Sequence, residues 1–222
     1  MHSMTKPSPK QQLFAQLARA GKGIAHPSRL ELIEAMAQGE KSVEALSRAC
    51  GLAFSNVSHH LQILKDCGLA VSRKDGLQVF YRLADAEVPA MIASLRRIAE
   101  RQLAEVERIV RDNFESRDAL QPVRREELLK MARRGEAMVI DVRPAEEYEA
   151  GHIAGAVNVP LDALPRFLRK LPQEQEIVAY CRGPYCMLAF EAVERLRKKG
   201  YRARRLEEGF PEWQAERLPV DK

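Results

Sequence analysis

The chain has 222 residues, of which 45% are hydrophobic and 30% charged, a composition typical of folded globular domains and not of disordered chains. Its net charge is +5, and residues 1–84 account for all of it, because residues 85–118 carry −2 and residues 119–222 carry +2. A basic first third permits nucleic-acid binding but does not by itself establish it.

Hydropathy and cysteine content bear on the cellular compartment. No run of 18 apolar residues is present, and the first ten residues lack the apolar region of a secretory signal. We therefore expect a cytoplasmic protein that does not associate with a membrane. Four cysteines are too few for a disulfide scaffold in a chain of this length, so reduced thiols are expected. They are Cys50, Cys67, Cys181 and Cys186.

The first 83 residues predict helices followed by a hairpin. Apolar residues recur at helical spacing in three short segments of residues 9–50, and a fourth helix runs from Ser55, its expected N-cap, to about Cys67. Two strands then follow at 69–73 and 78–83, joined through an Asp-Gly turn. This order of elements predicts a winged helix-turn-helix.

Residues 84–117 predict one long amphipathic helix. Apolar side chains recur every three or four positions from Val88 to Phe114, and no proline or glycine follows Pro89 in the first turn. Because this apolar stripe is longer than one small domain can cover, we expect a homodimer through residues 85–117. Packing within its own subunit is the alternative.

Strands alternate with helices in the last hundred residues. Strands are predicted at 138–142, 156–159, 176–180 and 202–206, with helices between them, which indicates an α/β domain with a parallel sheet. We therefore expect two domains. Residues 1–118 form a mainly α winged helix-turn-helix domain for DNA binding and dimerisation, and residues 119–222 form the α/β domain.

The fourth helix has a polar face suited to reading DNA. That face holds short donors and acceptors and no acidic residue, as contacts to base edges and phosphates in a major groove require. The hairpin tip adds two cations within reach of an adjacent phosphate. A solvated helix face is the alternative. The candidate DNA-binding residues are Ser55, Asn56, Ser58, His59, Gln62, Arg73 and Lys74.

Residues 26–36 (HPSRLELIEAM) and 55–83 (SNVSHHLQILKDCGLAVSRKDGLQVFYRL) resemble the second helix, recognition helix and wing of the ArsR family of repressors. The resemblance implies a homodimeric repressor on palindromic double-stranded DNA. Many members carry a Cys-Val-Cys metal site in the third helix, whereas this chain has Ser42-Val43-Glu44. We therefore expect no metal at that place, and no cofactor.

A pair of cysteines follows the predicted strand at 176–180. Cys181 lies between the strand end and a helix that begins at Met187, where loop and helix N–H groups converge and favour a thiolate. Arg182 adds positive charge to the loop, and Cys186 ends it. The alternative is a buried cysteine before a turn. The remaining candidate residues of the active-site loop are Gly183, Pro184, Tyr185 and Met187.

Residues 139–143 (VIDVR), 147–160 (EYEAGHIAGAVNVP) and 208–213 (EGFPEW) resemble the rhodanese domain. The resemblance implies that Cys181 is a nucleophile that takes sulfane sulfur from a small donor and passes it to an acceptor. It also implies supporting roles for Asp141, Arg143 and His152.

The cysteine loop departs from the rhodanese pattern, C-x-x-G-x-R. Cys186 occupies the place where arginine often stands, and Arg182 substitutes for that arginine only in part. Sulfurtransferase turnover is therefore left open. The second thiol permits attack on a persulfide or sulfenic acid at Cys181, which would give a disulfide.

The sequence favours a cytoplasmic DNA-binding repressor with a rhodanese domain that senses or transfers sulfane sulfur through Cys181. One alternative is a sulfurtransferase or thiol-dependent reductase in which the winged helix mainly dimerises or localises the enzyme. A second is an ordinary repressor whose rhodanese part is an inert binding module.

Overall fold

The computed structural model describes residues 7–114, 122–168, 171 and 174–222. The chain forms two compact units, Met1–Val88 and Pro89–Lys222.

The first unit combines helices with a small antiparallel sheet. Its helices are α1 (Pro9–Ile24), α2 (Pro27–Met36), α3 (Val43–Cys50) and α4 (Phe54–Asp66). Its strands are β1 (Lys41–Ser42), β2 (Ala70–Asp75) and β3 (Gln78–Leu83), in the order β1–β3–β2. The hairpin of β2 and β3 follows α4 directly, so the predicted winged helix-turn-helix is confirmed.

Local sequence signals explain where these helices begin and end. Ser42 accepts a hydrogen bond from the Ala45 N–H and caps α3, and Gly51 ends that helix with a left-handed φ of 63°. The prediction that Ser55 caps the next helix is wrong, because α4 begins at Phe54 with Ala53 at the N-cap position. Ser55 lies instead in the first turn of α4.

The prediction of one continuous helix over 84–117 is also wrong. The structure has α5 (Glu87–Gln102) and α6 (Ala104–Asn113), separated by Leu103 in an extended conformation, with φ −112° and ψ 104°. No proline or glycine marks this break, and intrinsic propensity is a weak predictor where tertiary contacts decide. From Pro89 onward both helices belong to the second unit, and their side-chain contacts within that unit are described below. Residues 115–117 lie outside the described part of the chain.

The division into compact units differs from the predicted domains 1–118 and 119–222. By their contacts, α5 from Pro89 onward and α6 group with the second unit. The assignment of residues 85–117 to dimerisation therefore stays a prediction.

The second unit contains the predicted parallel sheet. Its helices are α7 (Arg125–Arg133), α8 (Ala145–Ala150), α9 (Leu164–Phe167), α10 (Met187–Lys198) and α11 (Phe210–Ala215). The parallel strands, in spatial order, are β6 (Val157–Asn158), β4 (Ala137–Asp141), β7 (Glu176–Tyr180) and β8 (Ala203–Arg205). A separate antiparallel pair, β5 (His152–Ile153) with β9 (Val220–Asp221), was not predicted.

Apolar clusters cover both faces of this sheet. On one face α10 packs through residues such as Ala192 and Leu196. On the other, Leu128 of α7 and Trp213 of α11 pack against the sheet. Since β4 and β7 are parallel and adjacent, their carboxyl ends meet at one edge. Functional groups in open α/β sheets gather at that edge.

A buried ion pair lies at the carboxyl end of β4. Asp141 and Arg143 are fully buried, with 2.6 Å between Oδ2 and Nη2. The Tyr180 hydroxyl donates to Asp141 Oδ2 at 2.6 Å, and Arg143 donates to the Gly151 carbonyl at 2.8 Å. Burial, followed by the Asp141 charge, raises the pKa of Tyr180 well above its usual range. The phenol therefore stays a donor.

Replacing Arg143 with methionine should lower the unfolding free energy of the second unit by about 3–5 kcal/mol, because Asp141 would be left as an uncompensated buried charge. Urea unfolding followed by the fluorescence of Trp213, the single tryptophan, measures this change. As a control, Arg195→Met removes an exposed pair with Glu191 and should cost less than about 1 kcal/mol. Equal losses in both variants would contradict the prediction.

Candidate functional site

The cysteine loop connects β7 to α10, as predicted. Cys181 follows Tyr180 at the strand end and is 1% exposed, while Cys186 is the N-cap residue of α10. The two sulfurs are joined in a disulfide, with the Cα atoms 6.1 Å apart. The structure therefore brings the two candidate catalytic thiols together at the carboxyl edge of the sheet.

Gly209 holds the backbone of this loop in place. A Cβ at Gly209 would lie 2.3 Å from the Gly183 nitrogen and 2.4 Å from the Arg182 carbonyl carbon. Its φ of −105° is open to any residue, so the requirement for glycine is the close approach. The next residue, Phe210, donates its N–H to the Cys181 carbonyl at 3.0 Å. The sequence motif contained Gly209, but its role was not predicted.

The structure places Arg182 in an ion pair. Its Nε and Nη2 donate to the carboxylate of Glu147, the latter at 2.9 Å, and the Glu147 side chain is only 4% exposed. The positive charge that was expected to act in the loop is thus matched by a buried carboxylate. Glu147 belongs to the rhodanese-like segment but was not predicted as a site residue.

Tyr185 connects the loop to the helices α5 and α6. Its hydroxyl donates to the Glu100 carboxylate, and its ring centroid lies 4.8 Å from that of Phe114. The Arg96 guanidinium lies 5.7 Å from the same ring and pairs with Glu212 at 3.1 Å. These partners are 70 or more residues from Tyr185 in sequence, and no local pattern could have identified them.

A cleft of about 630 Å³ opens beside Pro184 and Tyr185. Its charged lining combines acidic with basic side chains, so the space next to the loop has no strong positive character. The charged residues are Glu100, Glu107, Glu207, Arg124 and Arg205.

The predicted supporting residues are buried close to the strand ends. Asp141 and Arg143 form the ion pair described above, and Tyr180, which donates to Asp141, directly precedes Cys181. His152 is buried and stacks on Tyr148 with 3.7 Å between ring centroids. Its Nδ1 lies 3.0 Å from the Tyr148 carbonyl oxygen. These contacts are structural in kind, and the supporting roles of the three residues at the site stay a prediction.

The predicted DNA-reading face of α4 is exposed. On the opposite face Val57, Leu61 and Leu64 are fully buried. The polar and apolar faces of α4 predicted from helical periodicity are therefore confirmed. Among the candidate DNA-binding residues of α4, the Gln62 amide donates a hydrogen bond to Asp66 at 2.7 Å. The exposed candidates are Ser55, Asn56, Ser58, His59 and Gln62.

The two predicted wing cations differ in their surroundings. Arg73 pairs with Glu40 at 2.7 Å and with Asp75 at 3.0 Å, and these hydrogen bonds raise the pKa of its guanidinium. Lys74 is exposed on the same strand, β2. Both cations are therefore exposed, and the Arg73 charge is paired within the protein.

His60 lies at the edge of the buried face of α4. Its Nδ1 is buried and has no hydrogen-bond partner within the described residues, and its ring centroid lies 4.4 Å from that of His26. Burial, followed by the charges of His26, Arg29 and His59, lowers the pKa of His60. The lowered pKa favours the neutral imidazole, which packs against His26.

The described part of the chain contains neither a metal-binding cluster nor a membrane-spanning helix. Over 7–114, 122–168, 171 and 174–222, no group of three or more His, Cys, Asp or Glu residues is arranged to bind a metal ion. Within the same part of the chain, no helix has the length and apolar character needed to cross a bilayer.

Comparison with known proteins covers both halves of the chain. The model of bacterial regulatory proteins of the arsR family matches residues 26–72, and that of the rhodanese-like domain matches residues 124–216. The HTH-type transcriptional regulator Rv0324 of Mycobacterium tuberculosis is 41% identical over 212 residues, 96% of this chain and 93% of the relative. This chain belongs to the ArsR family of HTH-type transcriptional regulators.

The regulator carries the rhodanese-like domain after its helix-turn-helix. Two further relatives match only its first part. The biofilm growth-associated repressor of Agrobacterium fabrum is 36% identical over 74 residues, 33% of this chain and 63% of that protein. A solution structure of a homodimeric winged helix-turn-helix domain from Mycobacterium bovis is 35% identical, covering 45% of this chain and 92% of that one, with a TM-score of 0.41.

Replacing Gly209 with alanine should displace the cysteine loop of the regulator. Its Cβ would overlap backbone atoms, and such overpacking costs about 1–3 kcal/mol. We expect a lower Trp213 unfolding midpoint together with an altered alkylation rate of Cys181 after reduction.

Gly200→Ala is the matched control, because Gly200 has a φ of 84° but no atom within 4 Å of its added Cβ. That variant should lose stability through backbone strain alone and keep the wild-type alkylation rate. If Gly209→Ala also keeps that rate, Gly209 does not position the loop.

Proposed function

We propose that this ArsR-family regulator is a cytoplasmic, homodimeric repressor whose Cys181 takes up sulfane sulfur and thereby changes operator binding. The observation that carries the proposal is the position of Cys181. It lies in a loop fixed by Gly209 at the sheet edge and joined by Tyr185 to α5 and α6.

Exposed apolar side chains support dimerisation. Along α5, α6 and the residue between them, several large apolar side chains are about 40–55% exposed. Core residues of the same unit are far less exposed. A second copy related by a twofold axis would cover this surface, and the twofold would require a palindromic operator. These residues are Met91, Leu95, Ile98, Leu103 and Ile109. The Agrobacterium relative is a repressor by name, which supports repression as the direction of control.

Sulfur uptake would proceed by nucleophilic attack. The Cys181 thiolate attacks the sulfane sulfur of a small donor, a new S–S bond forms at Sγ, and the donor thiolate leaves with the electron pair of the broken bond. Transfer of that sulfur to an acceptor thiol would regenerate Cys181. A sulfurtransferase with a localising winged helix uses the same first step, so the two functions differ in whether operator binding responds.

Tyr185 provides a route from the loop to the rest of the chain. A change at Cys181 or Cys186 alters the backbone that carries Tyr185, and Tyr185 is held by Glu100 of α5 and Phe114 of α6. A short connection follows the wing strand β3, which ends at Leu83, and helix α5 begins after it at Glu87. A change in α5 is therefore transmitted along a continuous helix toward the DNA-binding part of the sequence.

Ser58→Ala and His59→Ala should each weaken operator binding, by about 1–3 kcal/mol if the side chain contacts a base. Fluorescence anisotropy with a DNA fragment selected from a random pool by the wild-type regulator measures the affinity. Gln214→Ala, at an exposed position of α11, is the control and should bind as wild type. Unchanged affinity in both α4 variants would place the reading face elsewhere.

Persulfide treatment should change the operator affinity of the wild-type regulator but not that of Cys181→Ser. Tyr185→Phe should still acquire sulfur at Cys181 by mass spectrometry while its affinity responds less, because the bond to Glu100 is lost. The measurement is the ratio of Kd values before and after treatment with glutathione persulfide. A ratio of one for the wild type, combined with rapid DNA-independent sulfur turnover, would instead favour the sulfurtransferase.

A further inference from the structure

We propose that Cys181 and Cys186 form a persulfide-reducing pair: Cys186 resolves the persulfide on Cys181, releases sulfide and closes the disulfide. This activity rests on the proposed function, since Cys181 must first accept the sulfur. Its product differs from that of sulfur transfer, because the sulfur leaves as sulfide and is not passed to an acceptor thiol.

The backbone of the loop holds both thiols within bonding range. The Cα atoms of Cys181 and Cys186 are 6.1 Å apart, within the range of about 4.4–6.8 Å that a disulfide spans without backbone movement. The Cys186 N–H donates to the Gly183 carbonyl at 3.1 Å, and Gly183 packs directly against Gly209. The internal thiol is therefore positioned before any external acceptor arrives.

The position of Cys186 favours attack by its thiolate. Cys186 is the N-cap residue of the 12-residue helix α10, and no side chain caps that end. The partial positive charge of a helix N-terminus stabilises a thiolate. An intramolecular nucleophile held in this geometry also avoids the entropy cost of bringing an acceptor thiol from solution.

Two loop side chains that could stabilise a persulfide anion are already engaged by carboxylates. The place where the rhodanese pattern has an arginine is occupied by Cys186 itself. Arg182 is paired with the buried Glu147 carboxylate at 2.9 Å. The neighbouring Tyr185 hydroxyl is engaged by Glu100, another carboxylate. A persulfide at Cys181 would therefore be better placed to react with Cys186 than to persist.

The reaction balances in two steps. First, the Cys181 thiolate attacks the outer sulfur of a persulfide RSSH, forming Cys181–S–SH and releasing RS⁻. Second, the Cys186 thiolate attacks Sγ of Cys181, so that the bond to the outer sulfur breaks and HS⁻ leaves with its electrons. The two cysteines lose two electrons and the sulfane sulfur gains them. A dithiol reductant of the thioredoxin class restores both thiols by disulfide exchange.

Burial of the product supports a signalling use of this chemistry. In the disulfide state, Cys181 is 1% exposed, so the spent thiol is withdrawn from solvent. Tyr185, which lies between the two cysteines in sequence, is at the same time in contact with Phe114 and Glu100. In the disulfide state, the loop is therefore packed against α5 and α6.

The test uses the reduced full-length protein, freed of reductant under anaerobic conditions and treated with glutathione persulfide. Released sulfide is quantified, and intact-protein and peptide mass spectrometry identify the cysteine products. Wild type should release sulfide and form the 181–186 disulfide. Cys186→Ser should lose this sulfide release and retain one extra sulfur atom on Cys181. A thioredoxin-type dithiol should restore a second round in the wild type but not in Cys186→Ser.

Matched variants separate the possible outcomes. The double variant Cys50→Ser, Cys67→Ser removes the thiols outside the loop and should behave as wild type, and Cys186→Ala repeats the test if the serine variant does not fold. A stable persulfide on the wild type, or equal sulfide release from Cys186→Ser, would overturn the resolving role while leaving sulfur uptake intact. Absence of added sulfur and of the disulfide in every variant would overturn the proposed function itself.

Discussion

The parallel pairing of β4 with β7 is the constraint on which the sulfur site depends. It sets Asp141 opposite Tyr180, and the phenol donates across the strands to the carboxylate that also holds Arg143. Replacing such a buried ionic network by apolar side chains often leaves stability unchanged. Here the network fixes the end of β7 at Tyr180. Because Cys181 follows Tyr180 directly, the position of Cys181 is fixed as well.

A second fixed point lies on the far side of the loop. Gly209 allows the β8–α11 connection to touch the backbone of Arg182 and Gly183, and the Phe210 N–H binds the Cys181 carbonyl. Residues 181–183 are thus held by backbone contacts, whereas Tyr185 is held by side chains of α5 and α6. Between the two cysteines, the loop therefore passes from a segment fixed by its backbone to one fixed by side chains.

Local patterns in the sequence predicted much of this structure. The cap at Ser42, the end of α3 at Gly51 and the buried arc of α4 all follow from interactions within a few residues, as does the strand–loop–helix placement of Cys181. The break at Leu103 and the Glu147–Arg182 pair could not be predicted, because each depends on contacts between distant segments. The motif at 208–213 was recognised, but its contact with the loop required the fold.

The break at Leu103 gives the helical segment two independent contacts with the cysteine loop. Arg96 and Glu100 reach the loop from α5, while Phe114 reaches Tyr185 from α6. A straight helix would carry all three residues on one rigid axis, and a movement of Tyr185 would shift that axis as a whole. With an extended residue between them, α5 and α6 follow separate axes, and each axis has its own contact with the loop. The apolar side chains exposed along this segment, including Leu103 between the two helices, form the surface that the proposed dimerisation would bury.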